Sequence, residues 1–203
     1  MLAVAVLVSG SGSNLQALLD ASAGDPGFGS RIVVVISDRP GVSALERATR
    51  AGVPAEVVRW VEFGDRESFS AAICDTAERY GAEALILAGF MRILSPTAID
   101  RYPNRIINIH PALLPAFPGA HAVPAALAHG VKVSGVSVHF VDDEVDHGPI
   151  IAQRAVPVQA DDSEETLHAR IRKEEHLLLP QVVKAFAAGR LRVDGRRVIW
   201  EES

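Results

Sequence analysis

Asn108 and His110 stand one residue apart in RIINIHPALLPAFPGAH, the stretch from Arg105 to His121. Arg105 to Ile109 reads as a short β-strand, and strand side chains alternate faces, so the amide and the imidazole point to the same side. Pro111 cannot extend a central ladder and stops the strand once both groups have been presented. Pro115, Pro118 and Gly119 then favour a rigid, shaped loop. A carboxamide beside an imidazole supplies what acyl transfer needs, one group to hold a developing oxyanion and one to manage a proton. The same two residues would equally serve to satisfy turn backbone at a strand end.

Two further stretches carry polar groups in a pattern with chemical meaning. Ser9-Gly10-Ser11-Gly12-Ser13-Asn14 follows an apolar run and precedes Leu15, Leu18 and Leu19 at helical spacing. A strand, a glycine-rich turn and a helix start together offer backbone N–H groups and a positive dipole end to a phosphate. Leu15 stands where the dinucleotide fingerprint has its third glycine, and no Gly-Lys-Ser or Gly-Lys-Thr is present. Three hydroxyls and one amide instead suit a single terminal phosphate, or the segment is a simple tight turn. The second stretch is acidic, Asp142-Asp143-Glu144-Val145-Asp146-His147-Gly148-Pro149. Carboxylate runs are usually solvated loops, but Asp146 abuts a His-Gly-Pro turn that would fix its position.

The elements that must position these groups alternate in type. Leu2 to Val8 is a continuous β-prone run, as in a strand buried on both faces of a parallel sheet. Arg31 to Ser37, Ala55 to Val58 and Ala84 to Ala88 read as further strands, with helices over Val42 to Ala51 and Glu67 to Tyr80. This pattern predicts an α/β fold, a Rossmann-like doubly wound, mainly parallel sheet with right-handed crossovers. Asp38, just past the second strand, lacks the glycine fingerprint of a ribose-binding acid and reads as turn chemistry. Gly89 to Pro96 leaves the fourth strand, with Ser95 and Pro96 suited to N-cap and N1 of a short helix. Its bulky residues and Arg92 either line a flat ligand or pack on the core.

Beyond the central loop, Ala125 to His129 reads as a helix closed by Gly130. Val133 to Val141 and Ile150 to Val156 read as strands of a C-terminal antiparallel extension, with Ser137 and His139 on one face. A long C-terminal helix begins at Asp162 or Ser163 and buries Leu167, Ile171, Leu178, Val182 and Phe186, with a kink or break expected at Pro180. Leu191 to Val193 and Arg197 to Ile199 flank Asp194-Gly195, a hairpin signal. With no linker or repeat in view, residues 1–203 read as one domain with halves at 1–104 and 105–203.

Composition narrows the function classes. Hydrophobic residues make up 48 % and charged ones 22 %, which supports a packed core rather than disorder. Twenty basic against 25 acidic residues give a net charge of −5, which argues against a broad nucleic-acid surface but leaves room for a local anion pocket. Cys74 is the single cysteine and reads as a buried core thiol. Leu2 to Val8 has no basic residue before it, so it lacks the n-region of a secretion signal, and Ala84 to Met91 is far short of the ~20 residues that span a bilayer. The expectation is a cytoplasmic protein without membrane or nucleic-acid partners. All seven histidines lie from His110 to His176, yet none pairs at metal-ligand spacing, so no metal is expected. His121, His129 and His168 read as surface or loop residues, and His139 as either support for Asp146 or an ordinary strand residue.

Taken in order, SGSGSNLQAL, AGFMRILSP, NIHPALLPAFPGAH, GVSVHFVDDEVDHGPI and the EEH of Glu174 to His176 resemble the glycinamide ribonucleotide transformylase family. These are the folate-dependent formyltransferases of purine synthesis, and the resemblance runs from Leu2 to about Phe186. It implies a first half that binds the phosphorylated amine and a second half that carries the catalytic residues and helps bind the folate. It implies catalytic roles for Asn108, His110 and Asp146 and a phosphate loop at Gly12, Ser13 and Asn14. Arg92, Ile93 and Leu94 match a folate-contacting segment, and Asp142, Asp143, Glu144, Val145 and Asp146 match a loop that wraps the pterin. Glu175 matches an acid that reaches the ribonucleotide, and the nearby Arg172 adds charge for the phosphate. The implied co-substrate is 10-formyltetrahydrofolate and the implied acceptor glycinamide ribonucleotide, in a monomer or homodimer without a metal.

The match has departures. Many relatives read Leu-Asp-Gly-Gly-Pro where this chain has Val145-Asp146-His147-Gly148-Pro149. Some carry a basic residue at Ala116 and His-Thr-His-Arg at His121-Ala122-Val123-Pro124. Rival readings are a formyltetrahydrofolate hydrolase, which usually carries an N-terminal regulatory domain, and a methionyl-tRNA formyltransferase, which usually carries a further RNA-binding domain. A nucleotide-binding module without chemistry would use the same glycine turn and is told apart by whether folate turnover depends on an amine.

Overall fold

The structure is a computed structural model and describes residues 1–201. The chain forms two compact units, Met1–Asn108 and the chain from Ile109 onward. The division falls inside one strand.

The first unit runs β1 (Leu2–Val8), α1 (Ser13–Gly24), β2 (Ser30–Ser37), α2 (Ser43–Arg50), β3 (Ala55–Val57), α3 (Arg66–Arg79), β4 (Ala84–Leu87), α4 (Pro96–Arg101) and β5 (Ile106–His110). Its strands lie in the order β3-β2-β1-β4-β5, and all pair in parallel. Val4 to Val8 and Ala84 to Ile86 are fully buried, which is why these segments are apolar at every position rather than alternately. The strand order reverses between β1 and β4, and ligands of open parallel sheets bind beyond the carboxyl ends of the strands at such a switch point. The glycine-rich turn follows β1, and the Gly89 to Leu94 loop follows β4. Around α3, Phe69 anchors an aromatic cluster, edge-on to Trp60 at 5.0 Å and Phe63 at 5.7 Å and stacked on Phe90 at 6.3 Å.

The second unit holds α5 (Ala122–His129), β6 (Val133–Phe140), β7 (Ile150–Pro157), α6 (Glu164–Ala187), β8 (Leu191–Asp194) and β9 (Arg197–Trp200). β6 and β7 are antiparallel, as are β8 and β9, while Ile150 and Arg197 join β7 to β9 in parallel. Gly135 in β6 has no room for a side chain, since a Cβ there would collide with the Arg154 carbonyl and come within 2.8 Å of Leu113. Helix α6 packs on β6 and β7.

Two local expectations need correction, at Pro180 and at the start of α5. Helix α6 is neither ended nor interrupted at Pro180, which sits inside a helix continuous over 24 residues. A mid-helix proline costs about 3 kcal/mol. Leu178, Leu179, Val182 and Val183 are buried beside it, and at roughly 1.5–3 kcal/mol for each fully buried side chain the packing outweighs that cost. Ser95 and Pro96 do occupy the N-cap and N1 positions of α4, but the Ser95 hydroxyl makes no cap bond. Its backbone N–H donates to the buried Ser70 hydroxyl at 2.9 Å. Helix α5 starts at Ala122, earlier than expected, because Pro124 falls in the first turn where a missing N–H costs nothing. Of the two α6 cap choices, Ser163 forms a capping box with Thr166, while Asp162 pairs with Arg170 at 2.8 Å. Cys74 is fully buried, and burial pushes its thiol up to about 11, as suits an inert core cysteine.

Gly12 has φ of 71°, and a Cβ there would meet Ala44 Cβ at 2.7 Å and Cα at 2.8 Å, whereas Gly10 has open space. Gly12→Ala should therefore lower stability by about 1–3 kcal/mol, from backbone strain and overpacking. Gly10→Ala should be close to neutral. Urea unfolding of both variants checks this, with a lower midpoint expected for Gly12→Ala alone.

Candidate active site

Helix α1 begins at Ser13 with Gly12 as its left-handed N-cap, so Ser13 and Asn14 are its first two residues and lie where a helix directs N–H groups outward. Arg47, which no motif marked, clamps this turn from α2. Its Nε donates to the Ser11 carbonyl at 2.8 Å, and its Nη1 donates to Gln16 Oε1 at 3.0 Å. That brings a guanidinium beside a turn already suited to an anion.

Asp38 is more than the turn residue its sequence position implied. Its carboxylate is fully buried and accepts from Arg92 Nε at 2.8 Å and from Arg39 at 3.3 Å. Burial alone would raise its pKa, but hydrogen bonds from Ser9, Arg39 and Arg92 outweigh it and hold the carboxyl below its ordinary range. The Ser9 hydroxyl also accepts the Met91 N–H at 2.8 Å. The Arg92 guanidinium lies 5.2 Å from the Trp60 ring centroid. The Gly89 to Leu94 loop is thus fixed against the start of the glycine-rich turn, with Ile93 half exposed and Leu94 buried.

On β5, Asn108 is half-buried and His110 only 5 % exposed, two residues apart on one strand face. His110 Nδ1 lies 3.3 Å from Asp146 Oδ2, and its Nε2 is 2.8 Å from the Phe117 carbonyl. A carbonyl and a carboxylate both accept, so the doubly protonated ring is the form that donates at both nitrogens. Asp146 Oδ2 also accepts the Gly119 N–H at 2.8 Å, and His139 Nε2 lies 3.6 Å from Oδ1. His139 is therefore a neighbour of Asp146 and not merely a strand residue. Burial pushes the Asp146 carboxyl up, but His139, the Gly119 N–H and the charge of His110 together hold it below its ordinary value. Asp146 itself has φ of 52°, a left-handed conformation that few residues other than glycine, asparagine and aspartate adopt.

The loop after His110 is held by Ser137, which the sequence showed only as a strand residue. Its buried hydroxyl donates to the Ala112 carbonyl at 2.7 Å and accepts the Leu114 N–H at 3.0 Å. Gln153 from β7 donates to the same hydroxyl at 2.8 Å and to the Leu114 carbonyl at 2.9 Å. The spacing of Ser137 and Gln153 carries no motif, because their targets are backbone groups distant in sequence. In the acidic loop, Asp143, Glu144 and Val145 are exposed, while Asp142 bonds His147 at 2.8 Å. On α6, Glu175 is buried and Arg172 exposed. Among the described residues, no cluster of three or more His, Cys, Asp or Glu side chains is arranged to hold a metal ion, and no helix is long and apolar enough to cross a membrane.

An imidazole and a desolvated carboxylate thus face each other at 3.3 Å at the end of the Asn-Ile-His-Pro strand. The Formyl transferase family profile matches residues 2–183, so the chain belongs to that family. It is 47 % identical over 191 residues to the phosphoribosylglycinamide formyltransferase of Mycobacterium tuberculosis, covering 94 % of this chain and 87 % of that protein. The crystal structure of glycinamide ribonucleotide transformylase 1 from Symbiobacterium toebii is 48 % identical, with a TM-score of 0.95 over 100 % of this chain and 95 % of that one. The trifunctional purine biosynthetic protein adenosine-3 of Gallus gallus is 42 % identical over 98 % of this chain, which spans 20 % of that protein's length.

Ser137→Ala should strand the Leu114 N–H and the Gln153 amide and cost about 1–3 kcal/mol in chemical unfolding. The lowered Asp146 carboxyl fixes the sign of a pH effect. Its contribution to stability is present above pH ~4 and is lost as pH falls through the lower native value. Asp146→Asn should therefore flatten the acid limb of a stability profile below pH ~4 and leave its neutral shape unchanged.

Proposed function

We propose that this chain transfers the formyl group of 10-formyltetrahydrofolate to the amine of glycinamide ribonucleotide. The observation that carries the proposal is the His110–Asp146 contact at 3.3 Å, with Asp146 shielded from water and the Asn108 amide on the same strand face as the imidazole. The family membership and the similarity to formyltransferases of nearly equal length support the choice of substrates.

In this reading, the first half of the chain binds the ribonucleotide and the second half supplies the catalytic groups and much of the folate contact. Gly12, Ser13 and Asn14 receive the phosphate, with Arg172 and Glu175 serving the ribonucleotide. Arg92, Ile93, Leu94 and the loop from Asp142 to Asp146 receive the folate. The amine attacks the formyl carbon, forming a C–N bond and a tetrahedral species whose oxyanion is held by the Asn108 amide, with the His110–Asp146 pair beside it to handle the proton. Asp146 orients the imidazole through its Nδ1 edge and relays the proton lost by the amine, through water, to the departing folate nitrogen as its bond to the formyl carbon breaks. The Phe117 carbonyl, bonded at Nε2, sets the ring plane, which leaves the Nδ1 edge and the carboxylate as the pair between which charge is shared.

The deciding assay follows 10-formyltetrahydrofolate by absorbance with and without glycinamide ribonucleotide. Turnover that requires the ribonucleotide supports transfer, and equal turnover without it would identify a hydrolase. Asp146→Asn should lower kcat about 10²- to 10⁴-fold, with ribonucleotide affinity by calorimetry close to wild type. Adding His110→Ala to that variant should cost far less than the product of the single losses, since groups acting as a unit are non-additive. Ser13→Asp should raise KM for the ribonucleotide much more than for the folate, because it puts a carboxylate where a phosphate belongs.

A further inference from the structure

Asp146 is held in a left-handed conformation, and such a residue persists only where its surroundings fix it. Upstream, its side chain is held by the Gly119 N–H. Downstream, Gly148 is pressed so closely on Phe140 that a Cβ there would collide with the Phe140 carbonyl. Between these two anchors lies the peptide of His147, and its carbonyl accepts from Arg196 Nη2 at 2.5 Å. Arg196 stands between β8 and β9 in a turn that the Asp194–Arg197 pairing holds to two residues. Its other nitrogen, Nη1, is 3.2 Å from both ring nitrogens of His147 and 3.9 Å from Asp142 Oδ2, while His147 Nδ1 is 2.8 Å from the same Asp142 oxygen. One guanidinium therefore spans both ends of the acidic loop.

We propose that Arg196 is a positioning residue of the formyl-transfer site, fixing the loop from Asp142 to His147 so that Asp146 keeps its carboxylate on His110. This rests on the role given above to Asp146 and the acidic loop, and it assigns the C-terminal hairpin a part in the chemistry. Arg196 touches neither substrate nor reacting atom. Its side chain is 59 % exposed, so its bonds do little for global stability. Their effect is local. A single hydrogen bond of ordinary net strength changes the ratio of held to released loop about three- to tenfold, exchange protection follows that ratio, and apparent ligand affinity falls as far as the held fraction does.

The test compares Arg196→Ala and Arg196→Lys with the wild type by hydrogen exchange, thermal unfolding and steady-state kinetics. Arg196→Ala should speed exchange in residues 142–148 about three- to tenfold, leave the unfolding temperature close to wild type, raise KM for 10-formyltetrahydrofolate and lower kcat. KM for the ribonucleotide should stay unchanged. Arg196→Lys keeps one donor for the His147 carbonyl and should recover at least half of the lost protection. Wild-type exchange in Arg196→Ala overturns the proposal, as does faster exchange spread evenly over the second unit with a lowered unfolding temperature, since that marks a merely structural role. Failure of the lysine variant to recover protection overturns the carbonyl bond as the carrier. If the wild type shows no formyl transfer, the functional reading fails by itself, and the exchange data still decide whether Arg196 holds the loop.

Discussion

A carboxylate taken out of water beside an imidazole is the constraint on which the second unit depends. Desolvating Asp146 costs several kcal/mol unless its oxygens are repaid by donors and positive charge. The Gly119 N–H, His110 and His139 supply that compensation at 2.8, 3.3 and 3.6 Å. Each donor needs its own support. Gly119 belongs to a loop tied down by Ser137 and Gln153, and His139 sits beside a register shift in the β6–β7 pairing. Buried ion pairs are weak sources of stability, since well-packed apolar residues often do as well. The arrangement is thus better understood through the proton chemistry it allows than through the fold it stabilises.

The first unit answers a different constraint. A parallel sheet buried on both faces leaves polar backbone groups only at strand ends, so its chemistry collects beyond β1 and β4. There the buried Asp38 carboxylate gathers Ser9, Arg39 and Arg92. The Ser9 hydroxyl has one proton to give and accepts the Met91 N–H, so the glycine-rich turn and the Gly89 to Leu94 loop share one polar network. In the proposed function these two segments serve different substrates.

Much of the architecture was legible because the signals were local. Leu2–Val8, the helix over Arg66–Arg79 and the Asp194-Gly195 hairpin each declare themselves within a dozen residues through apolar periodicity or turn chemistry. Asn108 and His110 share a face by strand geometry alone. The approach of Asp146 to His110 was carried by family resemblance, since no local rule links residues 36 positions apart. No break occurs at Pro180 because propensity is a local cost and the compensating burial is tertiary. Arg47, Asp38, Ser137 and Gln153 carried no usable signal for the reason that their partners are backbone groups or side chains far along the chain.

His147 stands next to Asp146 and carries contacts from both the acidic loop and the C-terminal hairpin. Relatives with a second glycine at that position would have a freer backbone after the aspartate, because glycine adopts left-handed and extended conformations alike. Here a histidine restricts that backbone, and its ring bonds Asp142 while its carbonyl receives Arg196. A residue that narrows the loop's own choices lowers the entropy lost when the loop is held, so fewer contacts are needed to keep Asp146 in its uncommon conformation. His147 therefore exchanges backbone freedom for side-chain and hairpin contacts, and it does so one residue from the carboxylate on which the proposed chemistry turns.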